Sequence, residues 1–212
     1  METWAFLLAI MIRGVIDMKR NTRLILGSIL LISEVVKQIT LTQYYGHYVW
    51  YYFPFQLCST PMYLLLISGM FEKSRDTIDD FLIDYGLVAG VAVFLDTSGM
   101  HYPITWITIH SYLWHLFMIG LALYLSTKKT AGSFDSETWL FLILCGIAVG
   151  LNILLSNYGV IDMFYLSPFQ PVSQLVFRDI AKYLGNRVTR GIYVLCIVTG
   201  ANLVHKLRLL LR

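Results

Sequence analysis

The stretch TWLFLILCGIAVGLNILL, residues 138–155, runs eighteen positions without a charge, and Asn152 is its one strongly polar side chain. A helix on a soluble protein needs a polar face toward water, and this stretch offers none. Runs of about 18 or more apolar residues are long enough to cross the hydrocarbon core of a bilayer. Outward from it, further apolar stretches cover roughly Trp4 to Ile16, Leu24 to Thr42, Phe53 to Phe71, Phe81 to Leu95, Pro103 to Leu125 and Gly191 to Val204. The composition agrees, since 57% of the 212 residues are hydrophobic and 14% charged, against roughly 25% charged in a soluble domain. The expected fold is all-α, a polytopic transmembrane bundle of about seven helices. The spans use up the chain, so residues 1–212 are expected to form a single integral membrane domain in the cell membrane. An outer amphipathic or re-entrant segment is expected at about 156–190.

The formal charge of +3 is small and carries no nucleic-acid signature. Cys58, Cys145 and Cys196 lie far apart without a CxxC or Cys/His spacing, so neither a disulfide framework nor a metal site is indicated, and no cofactor is expected. Glu2, Arg13 and Asp17 break the order of a cleaved signal peptide, so the first stretch reads as a retained span, with an interfacial helix as its alternative.

Basic residues alternate between connections. Lys19, Arg20 and Arg23 follow the first stretch, Lys73 and Arg75 the third, Lys128 and Lys129 the fifth, and Lys206, Arg208 and Arg212 the last. The connections 43–52 and 96–102 have none. The positive-inside rule therefore predicts the N-terminus outside and the C-terminus cytoplasmic. The long connection 156–190 carries Arg178, Lys182, Arg187 and Arg190 on the outer side, where the rule is weaker for long loops. Within it Val172, Leu175, Val176, Ile180 and Leu184 form one stripe opposite Gln174, Arg178 and Lys182, the pattern of a helix lying on a leaflet beside anionic headgroups. Membrane lipids are the expected partners. Tyr44, Tyr45, Tyr48, Trp50, Tyr51 and Tyr52 suit the headgroup level of the outer interface.

An ionisable or strongly polar residue inside a membrane is costly enough to be a functional candidate. At about 1.5 Å of rise per residue, Cys58 and His110 lie roughly 8 and 10 Å below the outer surface, Glu34 roughly 12 Å and Asn152 roughly 5 Å. His115 is deeper, at roughly 18 Å, and on another face of its helix. A thiol level with an imidazole is the minimum for covalent acyl chemistry, because the imidazole can take the thiol proton. Pro54 and Pro61 flank the cysteine and free backbone N–H groups that could serve an oxyanion. The plainer reading is a packed thiol and a histidine satisfied by a neighbouring carbonyl. Glu34 and Lys37 pair one turn apart, Cys145 and Cys196 read as core, and Asp84 is expected to reach water at the cytoplasmic end. His205 reads as a residue at a chain end. The seventh stretch has no lysine before Lys206 for a retinal Schiff base.

The segment Tyr52-Phe53-Pro54-Phe55-Gln56-Leu57-Cys58-Ser59, with Trp106-Ile107-Thr108-Ile109-His110-Ser111 and then Asn152, Ser156-Asn157-Tyr158 and Ser167-Pro168, resembles the YwaF-like family of multi-span membrane proteins. That family has eukaryotic members described as acyltransferases of ether phospholipids with an essential cysteine and histidine. The resemblance puts these on Cys58 and His110, and the depths select the same pair. Gln56 departs from the pattern, since many relatives have histidine there, and an amide cannot take a proton at neutral pH.

Two functions follow as expectations. As an acyltransferase, Cys58 would form a thioester from a phospholipid and pass the acyl group to a lysophospholipid, with His110 as base. Glu34, Gln56, Asn152, Asn157, Tyr158, Arg178 and Lys182 would bind the substrate. As a transporter or binding protein, the same outward polar cavity would hold a small solute or lipid without covalent chemistry.

Accessibility tags at Lys73 and Lys128 should report the cytoplasm, and tags near His47 and His101 the outside. A cytoplasmic result at His47 would invert the bundle and move Cys58 to the inner leaflet.

Overall fold

A computed structural model describes residues 18–128 and 131–211. Six α-helices and no strand occur among the described residues: α1 (Arg20–Tyr45), α2 (Thr60–Met70), α3 (Arg75–Ala92), α4 (Thr105–Lys128), α5 (Phe134–Leu155) and α6 (Leu175–Leu210). The expected first span, with Arg13 and Asp17, lies outside the described residues. By length and composition α1, α4, α5 and α6 are able to cross a membrane.

The exposed surface is what a bilayer requires. Ile25, Ile29, Ile32 and Ile39 of α1 are exposed, as are Trp139, Ile143, Ile147 and Leu154 of α5 and Leu195 and Leu203 of α6. Arg23, Glu34, Asp79, Asp84, Glu137 and Asn152 are buried instead. Apolar faces this long, around a polar interior, fit lipid tails outside and polar groups satisfied by protein within.

Helix α3 sits centrally, packed against α2, α4, α5 and α6, and the whole run Ile78–Gly86 is buried. α1 pairs closely with α2. An added Cβ at Gly27 would come within 2.8 Å of Leu66, and one at Gly69 within 2.7 Å of Leu24, so glycine is what lets these backbones approach.

Two expected spans are revised. The stretch Phe53–Phe71 is not one helix: residues 50–52 and 57–59 form 3-10 turns, and α2 begins only at Thr60. Pro54 and Pro61 lack the N–H that a helix interior uses, and Pro61 is tolerated in the first turn, where that donor would be spare. The amphipathic segment is helical, as its stripe predicts, but it starts α6. Gly185 breaks that helix with φ +75° and ψ 158°, leaving an arm of residues 175–184 and a long segment beyond. Glycine reaches this φ without steric cost. Arg187 and Arg190 thus belong to a helix and not to a connection.

The α1–α2–α3 junction rests on one ion pair. Arg23 bonds Asp79 of α3 through both terminal nitrogens, at 2.6 and 2.7 Å, and also Ser68 of α2 at 3.1 Å. Asp79→Ala strands a buried guanidinium and should cost about 3 kcal/mol or more, read as a lower thermal midpoint in detergent. Arg23→Met with Asp79→Leu should recover most of the loss. Equal damage from the double variant would show that packing, and not the stranded charge, sets the cost.

Candidate functional site

The expected site residues divide into a polar group near Cys58 and a set that holds the long connection. Cys58 lies in the 3-10 turn Leu57–Ser59 ahead of α2 and is half-buried. Its carbonyl accepts a hydrogen bond from Trp114 Nε1 of α4 at 2.8 Å. The Trp114 ring in turn lies 5.5 Å from the His110 ring, centroid to centroid. No hydrogen bond joins thiol and imidazole among the described residues; Trp114 is the neighbour that the two residues share.

Glu34 faces the same region from α1. Lys37 Nζ is 2.7 Å from Glu34 Oε2, the pairing that their spacing predicts. Gln38 Nε2 donates to Glu34 Oε1 at 2.6 Å and to the Tyr52 carbonyl at 2.7 Å. Lys37 Nζ also sits 5.9 Å from the centre of the Tyr102 ring, and Tyr102 packs on Tyr52. The charges of Lys37 and Glu34 both act on Cys58 and on His110. Four groups from α1, the turn and α4 therefore share one electrostatic environment. His115 is buried elsewhere on α4, with Nδ1 2.7 Å from the Ser111 carbonyl.

Gln56 and Asn152 are brought to the connection between α5 and α6. Gln56 donates from Nε2 to the Asp162 carbonyl at 2.7 Å and accepts at Oε1 from the Phe164 N–H at 2.8 Å. Asn152 donates to the Met163 carbonyl at 3.0 Å and accepts from the Met163 N–H at 2.7 Å. Phe164 and Tyr165 take positive φ, 54° and 57°, a strained turn held by these amides. A neutral histidine at position 56 would also offer one donor and one acceptor, but on ring nitrogens that point apart, whereas the amide presents both side by side to adjacent backbone groups.

The remaining candidates are at the rim. Asn157 and Tyr158 are exposed, with Tyr158 packed on Trp50 at 5.4 Å. Arg178 and Lys182 are exposed on the arm, and Lys182 pairs with Asp179 at 2.7 Å. Cys145 is buried as expected, whereas Cys196 is exposed, on a helix side that lipid would cover.

Sequence reasoning missed Trp114 as the link and Gln38 as the bond between α1 and the aromatic connection. Gln38 stands four residues after Glu34, a spacing that puts the two on one face and was legible. It also misplaced Asp84, which has no exposure and bonds His205 and Arg208. Counting along the chain put Asp84 and His205 near helix ends, and only packing shows that those ends meet.

An all-helical bundle with lipid-suited faces and buried ion pairs defines a polytopic membrane protein. A model of the TMEM164 family matches residues 3–198. The chain belongs to that family. Neither the comparison with curated proteins nor that with solved structures gave a match.

Asp162 lies in the connection, outside the spanning helices, and burial pushes its carboxyl up from 3.8 to about 6 against the opposing pull of the Ser167 N–H and the Arg190 charge. A raised carboxyl favours the protonated fold. Its stabilising contribution is complete below about pH 4 and is lost as pH rises through about 6. Stability should therefore fall between pH 4 and 6 with a slope of up to ~1.4 kcal/mol per unit, and Asp162→Asn should flatten that fall. An unchanged slope in the variant would assign it to another group.

Proposed function

We propose that the protein is a phospholipid acyltransferase of the transacylase type, with Cys58 as nucleophile and His110 as base. The observation that carries this is the Trp114 arrangement, in which one indole bonds the Cys58 carbonyl and packs beside the His110 ring. It links the two residues, from separate elements, through one shared side chain. The resemblance to YwaF-like proteins, whose eukaryotic members use a cysteine and a histidine, supports the same assignment. This reading requires imidazole and thiol to come within hydrogen-bond reach in the reacting complex, where active-site contacts commonly tighten.

In the first step His110 takes the Cys58 proton, and the thiolate attacks the ester carbonyl of a phospholipid. The tetrahedral oxyanion collapses to a thioester, the C–O bond breaks, and the imidazolium returns the proton to the departing lysolipid oxygen. In the second step His110 takes the proton of a lysolipid hydroxyl, whose oxygen attacks the thioester. The thiolate leaves and is reprotonated. No oxidant or carrier is consumed, and donor and acceptor are both membrane lipids.

The neighbours have matching tasks. Lys37, paired with Glu34, supplies positive charge toward the developing oxyanion. Pro54 frees backbone at the turn. Gln56 and Asn152 hold the turn at 162–164, while the exposed Asn157 and Tyr158 would meet glycerol and ester groups. Arg178 and Lys182 on the arm suit a lipid phosphate.

Intact-mass analysis of purified protein incubated with phospholipid should show an acyl adduct, absent in Cys58→Ala. Cys58→Ala and His110→Ala should each abolish acyl transfer, and the double variant should be little worse than either, as for groups acting as one unit. His115→Ala should keep most activity. Full activity in Cys58→Ala would end the acyltransferase reading in favour of a lipid or solute carrier.

A further inference from the structure

At the end of the bundle that carries Lys73 and Lys128, three helices bring together a second group of chemistry-bearing side chains. Asp84 of α3, Glu137 of α5 and His205 of α6 are all buried. One candidate ligand atom from each lies within 4.8 Å of the other two. His205 Nδ1 faces both carboxylates, at 2.9 Å from Asp84 Oδ2 and 3.2 Å from Glu137 Oε1. Phe134 packs on the imidazole with ring centres 5.3 Å apart.

Glu137 is the anomaly. It has no exposure, and among the described residues no N–H or O–H satisfies its oxygens; the groups against them are the His205 nitrogen and the Asp84 carboxylate. Arg208 does not reach it: its guanidinium is divided between Asp84, at 2.8 and 2.9 Å, and Asp80, at 3.0 Å. A buried carboxylate without hydrogen bonds is among the most costly groups a fold can hold. Among the described residues the chargeable groups that meet it are the imidazole nitrogen of His205 and the carboxylate of Asp84, two acids and one base around a single point. The charge calls for something positive at the point where Asp84, Glu137 and His205 converge.

We propose that Asp84, Glu137 and His205 form a binding site for a divalent transition-metal cation of the zinc type. Two oxygens and one imidazole nitrogen are a common donor set for zinc, with bonds of about 2.0–2.2 Å. In a tetrahedral site such bonds put donor atoms roughly 3.3–3.6 Å apart, a spacing that the present separations reach with small side-chain movements. The imidazole selects against magnesium and calcium, which prefer oxygen alone. Arg208 is placed as outer support, since it holds the Asp84 carboxylate by two bonds and would fix that ligand's orientation. The loop 131–133 lies against the neighbouring Asp80, since a Cβ on Gly132 would collide with the Asp80 carboxylate. A cation there ties α3, α5 and α6 together at the end away from Cys58, so the site stands apart from the proposed acyl transfer.

The test uses the full chain purified in detergent, stripped with a chelator and then dialysed against zinc. Wild type should retain zinc in proportion to protein by elemental analysis, and zinc should raise its thermal midpoint. Glu137→Gln and His205→Ala should each weaken retention at least about tenfold, while Asp135→Asn, an exposed acid two residues before Glu137, should retain it. Cobalt in place of zinc should give a visible absorption band of low-symmetry coordination that is lost in His205→Ala. If the variants fail to fold, the wild-type measurements still decide. No retained metal and no change of midpoint with zinc would overturn the proposal and leave a shared proton as the neutralising charge. Equal retention in Glu137→Gln would overturn it as well.

Discussion

Backbone polar groups in an apolar surrounding must find partners inside the protein, and two irregular stretches of this chain meet that demand through each other. Residues 53–59 cannot be continuous helix with Pro54 and Pro61 at their borders, and residues 162–167 turn through two positive-φ residues. Gln56 from the first stretch and Asn152 from α5 fill the donors and acceptors of the second. Each amide offers both a donor and an acceptor, so it closes a pair of backbone groups at once. The placement of Cys58 depends on this, because the turn that carries it is the one Gln56 anchors.

Charge is distributed toward the two ends of the bundle. Near one end Glu34 and Lys37 neutralise each other on α1, with Gln38 and Tyr52 attached. Toward the other, Arg23 with Asp79 joins the first three helices, and Arg208 with Asp80 and Asp84 joins α6 to α3. The apolar core beside them includes Leu65, Phe81, Tyr85, Met118 and Phe141. Removing one partner of any buried pair leaves a desolvated charge, so these pairs fix which helices meet. The apolar core supplies close packing, which is the main attraction between helices once lipid has removed the hydrophobic drive.

The sequence by itself determined the class of protein, because hydropathy and charge content decide whether a chain can present a surface to water. It also determined the places of α1, α4 and α5, the amphipathic arm at residues 175–184 and the Glu34–Lys37 pair. Each of these follows from a period or a spacing along one helix. The tertiary structure decided what depends on separate helices meeting. It broke the third stretch at its prolines, turned Gln56 and Asn152 toward the connection, exposed Cys196, and put Trp114 against both the Cys58 carbonyl and the His110 ring. It also buried Asp84 and His205, residues 121 positions apart, within one hydrogen bond of each other. A linear sequence gives the depth of a side chain in the membrane but not its azimuth around the bundle, and azimuth decides which polar groups face one another.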